Sequence, residues 1–275
     1  MSGEGGAGLL SSLWSFGRNG FSFLRRFCVL EERRCACCRE PFFPEGKVVS
    51  RIFCPDCRPC FPRREAGFCP YCGEPFAVAA APVVPCGECL QKLPPWNDFL
   101  FYGIYEGELR ELILRGKFGG GLDALHALGL LLAEICTDHY SAALPPQVIV
   151  PLPLHPVRLR KRGLDQCLEM ARPVSESLGI PVRTDLLRRV SASVPQSTLD
   201  RENRRKLRQP FAASPEAAAL RILLLDDVCT TGATLARAAE CLLAAGAASV
   251  DVLVAARASR HSVPSGSEAA PHALP

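Results

Sequence analysis

The sequence has no long apolar run. Uncharged apolar stretches such as Ala124–Ala133 reach ten residues, whereas a membrane-spanning helix needs about 20. A secretory signal is not expected either. No charged segment precedes Leu9, and the apolar residues from Leu9 to Phe27 are broken by Gly17, Arg18, Asn19, Gly20, Arg25 and Arg26. The expected location is therefore cytoplasmic. Gly (22) and Pro (24) make up about 17% of the 275 residues, short of the roughly 25–30% that marks low-complexity disorder. Excess charge is slight, at +4, so only its distribution bears on an anionic partner. Aromatic residues are few, 7% overall and none between 156 and 210, which argues against tight reading of bases there. With 48% hydrophobic and 22% charged residues, the composition is that of a globular chain of about two domains.

Cysteine is the residue in excess. Of 15, eleven lie between Cys28 and Cys89, and eight of these pair with two residues between partners: Cys35/Cys38, Cys54/Cys57, Cys69/Cys72 and Cys86/Cys89. Fifteen residues separate the first two pairs and thirteen the last two. A C-x-x-C turn bends two thiolates toward one point, and a second turn a hairpin away completes a tetrahedron at ~2.3 Å per sulfur. Two four-cysteine zinc sites in tandem are the favoured reading; a disulfide framework and iron–sulfur ligation are the alternatives. Cys28, Cys37 and Cys60 are left over, and Cys37 stands beside a ligand. Cys136, Cys167, Cys229 and Cys241 lie in apolar segments, where a buried thiol behaves as a small hydrophobe.

The Ala/Val/Pro-rich stretch Ala77–Pro85 reads as an excursion within the second ribbon, and Leu93-Pro94-Pro95 closes the cysteine region near residue 96. The expected organisation is an N-terminal extension (1–30), a double zinc ribbon (31–95), a larger domain (96–257) and a tail (258–275). Within the larger domain, strands are expected at Phe99–Tyr105, Val148–Leu152, Leu186–Val190, Arg221–Leu225 and Ser249–Ala256. Helices are expected at Glu108–Leu114, Leu122–His139, Leu164–Leu178 (ended by Gly179) and Ala233–Ala245 (ended by Gly246). Ser191–Pro210 is polar and basic and reads as a long loop. His126 and His139 read as helix surface or core residues. Strand–helix alternation predicts an α/β fold with a mostly parallel sheet, its ligands bound beyond the carboxyl ends of the strands.

One strand end carries the chemistry. After Leu223-Leu224-Leu225 come Asp226 and Asp227, then Val228, Cys229, Thr230, Thr231, Gly232, Ala233 and Thr234 at the start of a helix. Carboxylates accept hydrogen bonds from vicinal hydroxyls. Backbone N–H groups at a helix start, with threonine hydroxyls, suit a phosphate, and glycine lets the backbone come close. A diol and a phosphate held by one short loop describe a 5-phosphoribosyl group. Helix capping by Asp227 and Thr230 alone is the plainer alternative.

This loop resembles the PRPP (5-phosphoribosyl-1-pyrophosphate) signature of type I phosphoribosyltransferases. With the tandem ribbons, the chain is similar to the ComF family of competence-associated proteins from about Cys35 to Arg257. The resemblance includes Tyr105-Glu106-Gly107, Lys117-Phe118, and Val150-Pro151-Leu152-Pro153-Leu154-His155-Pro156 followed by Arg158 and Arg162-Gly163. It also takes in Pro195-Gln196, Leu199 and Arg204 ahead of Phe211. It implies a sheet of the type I phosphoribosyltransferase kind, with Asp226 and Asp227 on the ribose hydroxyls and Thr230, Thr231, Gly232, Ala233 and Thr234 on the 5′-phosphate. Lys117, His155, Arg158 and Arg162 would join the ligand site, and Ser191–Pro210 would close over it. Three positions depart from the family pattern. Asp165 follows Arg162-Gly163-Leu164 where an amide is usual, Lys206 and Gln209 stand in the flexible loop, and a triple glycine follows Phe118.

Two readings follow. As an enzyme, the chain would bind PRPP with Mg2+, pyrophosphate would leave, and an unidentified acceptor would attack. As a non-catalytic adaptor or nucleotide sensor, it would handle single-stranded DNA beside a competence helicase during natural transformation. The basic clusters around Arg158–Arg162 and Arg188–Arg208 suit either polyanion.

Overall fold

The computed structural model describes residues 32–44, 52–118, 121–154, 159–160, 163–190 and 210–260. The expected N-terminal extension, His155, Arg158, Arg162, residues 191–209 of the basic loop and residues 261–275 of the tail lie outside these. Contacts divide the chain into two compact units, Met1–Pro59 and Cys60–Pro275, so the division falls inside the cysteine-rich region.

In the first unit, β1 (Arg33–Arg34) pairs antiparallel with β2 (Pro41–Phe42) around the Cys35–Cys38 turn. The Ala36 N–H donates to the Ile52 carbonyl at 2.9 Å. Ala36, Phe42, Ile52 and Phe53 are buried beside Cys35 and Cys54. Among the described residues these apolar side chains make a small core, of the size that usually needs a metal.

The second unit begins with the other four paired cysteines, the last two of them flanking and joining the short helix α1 (Gly87–Gln91). It continues into a parallel sheet of β3 (Phe99–Ile104), β4 (Val148–Pro151), β7 (Arg221–Cys229) and β8 (Ser249–Arg257), in the order β3-β8-β7-β4. The two central strands are the longest. Ile222–Leu225 and Val252–Ala256 are buried, the continuous apolar pattern of strands covered on both faces. The helices are α2 (Gly107–Phe118), α3 (Leu122–Tyr140), α4 (Gln166–Leu178) and α5 (Ala233–Ala244). A Cβ at Gly129 of α3 would lie 2.6 Å from the Met170 carbonyl and 2.8 Å from the Pro173 ring, so glycine is what lets α3 and α4 approach. Gly179 ends α4 in the left-handed conformation, φ 67°, as its place after the last periodic residue predicts. A short antiparallel pair, β5 (Leu187–Arg189) with β6 (Phe211–Ala213), lies outside the main sheet.

Three elements differ most from the sequence reading, and the first is α2, which runs four residues past Leu114 and so carries Lys117. β7 runs four residues past Leu225, because β8 is equally long and pairs with it as far as Cys229↔Arg257. The paired acids therefore stand on the strand, in register with β8, rather than in the turn. β6 was not anticipated: three residues carry no periodicity, and their partner strand is more than twenty residues earlier.

Candidate ligand site at the end of β7

Successive strand side chains point to opposite faces, so Asp226 and Asp227 meet different neighbours. Asp226 accepts a hydrogen bond from the Asp227 N–H at 2.8 Å and lies 3.5 Å from the buried Cys167 thiol of α4. Burial, then the neighbouring Asp227 charge, pushes its carboxyl up to about 7. Asp227 is held by Lys117, the penultimate residue of α2, at 2.9 Å. Both side chains keep some contact with solvent, 17% for Lys117 and 14% for Asp227. Both residues are partly buried, and the Asp227 carboxylate is the one shown to reach solvent.

The turn after β7 is open. Thr230, Thr231, Ala233 and Thr234 are exposed, and Gly232 precedes α5 with φ 76°. That left-handed conformation explains glycine here. No side chain of Gly232 caps α5; the Thr231 hydroxyl accepts from the Ala233 N–H at 3.3 Å, and the first intrahelical bond runs from Ala236 N–H to Gly232 O at 2.8 Å. Two acids at a strand end followed by an exposed helix start, with hydroxyls on the turn, is the arrangement expected from the sequence.

Asp165 has a structural role. It is the N-cap of α4, its carboxylate accepting from the Leu168 N–H at 3.2 Å. Aspartate caps as well as asparagine does, which accounts for the departure at this position. Gln166 is buried, and its amide donates toward the Lys117 carbonyl at 3.4 Å.

The structure adds a residue the sequence reading did not single out. Arg257, at the end of β8, is fully buried and is ion-paired with Glu74. It donates to the carbonyls of Cys72 (2.9 Å), Cys229 (3.0 Å), Thr230 and Ala258. A charge closing the apolar run Val252–Ala256 is the signal that could have pointed to it, since a buried guanidinium requires partners.

Each set of four paired cysteines converges. Within Cys35/Cys38/Cys54/Cys57, and within Cys69/Cys72/Cys86/Cys89, the ligand atoms lie within 4.8 Å of one another. Cys38 and Cys54 sulfurs are 3.8 Å apart, and those of Cys72 and Cys86 3.7 Å. A tetrahedron with ~2.3 Å metal–sulfur bonds has edges of ~3.8 Å. Cys37 is not among the four; its N–H donates to the Cys35 sulfur at 3.4 Å, as does that of Cys54 at 3.3 Å. Burial pushes the Cys35 thiol up, but N–H donors led by Cys54 more than offset this and hold it below its ordinary value. Cys69 behaves alike, with Cys86 as the leading donor. Cys57 and Cys89 are pushed far up by burial and then by neighbouring thiols. Such a crowded donor set, with part already favouring thiolate, fits a dication. Among the described residues no helix is long and apolar enough to cross a membrane.

Residues 164–267 match the phosphoribosyl transferase domain family. The "DNA utilization protein YhgH" of Salmonella typhi is 36% identical over 193 residues, covering 69% of this chain and 84% of its own length. "Competence protein F" of Haemophilus influenzae is 31% identical over 195 residues, covering 69% and 85%. "Competence protein ComFC" of Bacillus subtilis is 29% identical over 215 residues, covering 74% and 81%. With a parallel phosphoribosyltransferase-type sheet, a preceding pair of cysteine tetrads and relatives of this extent, the chain belongs to the ComF family.

Proposed function

We propose that this chain binds PRPP or a ribose 5-phosphate nucleotide at the end of β7 and works in the uptake or use of DNA. The observation that carries the reading is the succession along one strand end: two adjacent carboxylates, that of Asp227 in contact with solvent, then an exposed turn and helix start. Asp226 and Asp227 accept from the ribose hydroxyls, and Thr230–Thr234 take the 5′-phosphate. Lys117 faces the anionic end of the ligand, exchanging its ion pair with Asp227 for one with ligand oxygens. Mg2+ bound to the pyrophosphate would supply charge neutralisation there. His155, Arg158 and Arg162 complete the anionic subsite, and zinc fills both cysteine tetrads. The relatives' names support the link to DNA. Transfer to an acceptor, if it occurs, draws on positioning and charge neutralisation.

The test is PRPP binding by calorimetry with Mg2+. The double variant Asp226→Asn/Asp227→Asn should lose at least about tenfold in affinity, roughly 1.4 kcal/mol, with circular dichroism unchanged. Equal affinity would remove the assignment. A panel of bases and amines with labelled PRPP separates an enzyme from a sensor, since only the former releases pyrophosphate. A second reading, single-stranded DNA handling, draws on the exposed Arg188 of β5 beside Arg189, which lies over the Phe211 ring at 5.4 Å. It requires DNA binding that falls steeply with salt.

A further inference from the structure

Three features of the molecule lie outside the proposed ligand contacts. A cavity of about 190 Å³ lies between α1 and the start of α5, bordered by Trp96, Lys92, Glu240 and Arg260. A polar cluster at the opposite end of the sheet joins Tyr140 to Asp251 at 2.9 Å and His139 to Asp98 at 3.2 Å. The third is the Arg257 junction, and it carries the most.

Besides the neighbouring Ala258 carbonyl, Arg257 donates to groups from two places. One place is the second cysteine knuckle. Cys72 O accepts from Nε, and the Glu74 carboxylate pairs with Nη2. The Cys69–Glu74 turn is closed by Gly73 N–H to Cys69 O (2.8 Å) and Cys69 N–H to Glu74 O (3.0 Å). The sulfurs of that same turn belong to the second tetrad. The other place is the end of β7, where Nη1 holds the carbonyls of Cys229 and Thr230. A trans peptide points its C=O and N–H in opposite directions, and the described bonds include no cis peptide. Drawing the Thr230 carbonyl inward therefore aims the Thr231 N–H outward, to the exposed side of the turn. Arg260 reinforces this arrangement. Its N–H donates to Glu74 at 2.9 Å, and its guanidinium to the Thr231 carbonyl at 3.1 Å.

We infer that Arg257 is a positioning residue that makes the shape of the Thr230–Thr234 turn conditional on the metal-bound second tetrad. The metal fixes the knuckle, and the knuckle fixes Cys72 O and Glu74. These keep a buried cation in place, and the cation orients the turn. Without the knuckle, Arg257 loses its counter-ion and its outermost acceptor, and the turn carbonyls lose their shared donor. The second tetrad is then part of the ligand site's framework as well as a folding aid. The coupling concerns the turn itself; only its effect on ligand rests on the reading given under Proposed function.

The test is hydrogen exchange of the full chain, with metal content and PRPP affinity measured alongside. Glu74→Gln keeps the side chain's shape, and Arg257→Lys keeps a charge but loses the planar fork. Both should speed exchange of residues 229–235 at least tenfold while leaving residues 124–136 of α3 unchanged. Cys89→Ser should do the same and cost one metal equivalent. PRPP affinity should fall by about tenfold in each. Unchanged exchange at 229–235 in Glu74→Gln and Cys89→Ser would overturn the inference. If Arg257→Lys fails to fold, Glu74→Gln decides. Wild-type protein that binds no PRPP but shows the exchange response sinks the ligand assignment and leaves the coupling standing. Normal PRPP affinity with unchanged exchange does the reverse.

Discussion

The two cysteine knuckles repeat one local design and put it to different uses. In the first, Cys35-Ala36-Cys37-Cys38-Arg39-Glu40, the Arg39 N–H donates to Cys35 O and the Cys35 N–H to Glu40 O, each at 2.9 Å. In the second, Cys69-Pro70-Tyr71-Cys72-Gly73-Glu74, the same two bonds recur from Gly73 and to Glu74. The fifth residue is left-handed in both, φ 66° at Arg39 and 69° at Gly73. Glu40, however, is exposed, whereas Glu74 is buried against Arg257. Gly73 also lies against the Phe99 ring. The backbone motif is set by metal geometry and recurs; what surrounds it decides whether a knuckle serves only its own unit or supports the strand ends beside it.

Metal loss should give the largest contrast. Structural zinc supplies on the order of 10 kcal/mol to small sites, and the first unit has little else. Cys57→Ser should therefore unfold that unit while the calorimetric transition of the sheet-bearing unit moves by no more than about 2 °C. Cys89→Ser should lower that same transition by about 5–10 °C. Equal shifts from both variants would break the distinction between the knuckles.

The matched glutamates come next. Removing one member of a buried ion pair costs about 3–5 kcal/mol, while replacing both by apolar residues is often near neutral. In urea unfolding Glu74→Met should cost the sheet-bearing unit about that much, and Glu74→Met/Arg257→Met should regain part of it. Glu40→Met, at an exposed site, should stay within about 0.5 kcal/mol. A large effect at Glu40 would mean that the two knuckles are more alike than their surroundings indicate.

What could be read in advance follows the same line between local and distant. C-x-x-C spacing, the apolar run Ile222–Leu225 and the glycine after Leu178 are patterns within a few residues, and each predicted its element. So did the strand–acid–turn–helix order at Asp226–Thr234, because neighbouring residues supply all of it. The link between Arg257 and Glu74 spans 183 residues, and no local period encodes it. The Cys167 contact to Asp226 likewise depends on how α4 packs on β7. The extra length of β7 needed β8 beside it. Asp165 was ambiguous in sequence because aspartate serves equally as a ligand group and as a cap; only the Leu168 N–H distinguishes them.

The smallest effect is the sharpest comparison, because it exchanges residues at the shared left-handed position. At Gly73 a Cβ would sit 2.4 Å from the Phe99 ring, so Gly73→Ala adds overpacking to the backbone strain. The sum is roughly 2–4 kcal/mol, measurable in urea unfolding of the sheet-bearing unit. At Arg39 the conformation is strained and the side chain exposed. Arg39→Gly relieves about 1 kcal/mol of that strain, less a fraction for glycine's greater freedom in the unfolded chain. Because folding and metal binding are one equilibrium in so small a unit, the gain should read out as metal held about two- to fivefold more tightly against a competing chelator. Weaker metal binding by Arg39→Gly would mean that the Arg39 side chain contributes more than its conformation costs. The Arg34 guanidinium donates to the Arg39 carbonyl at 3.2 Å. That bond uses backbone alone at residue 39, so glycine should preserve it.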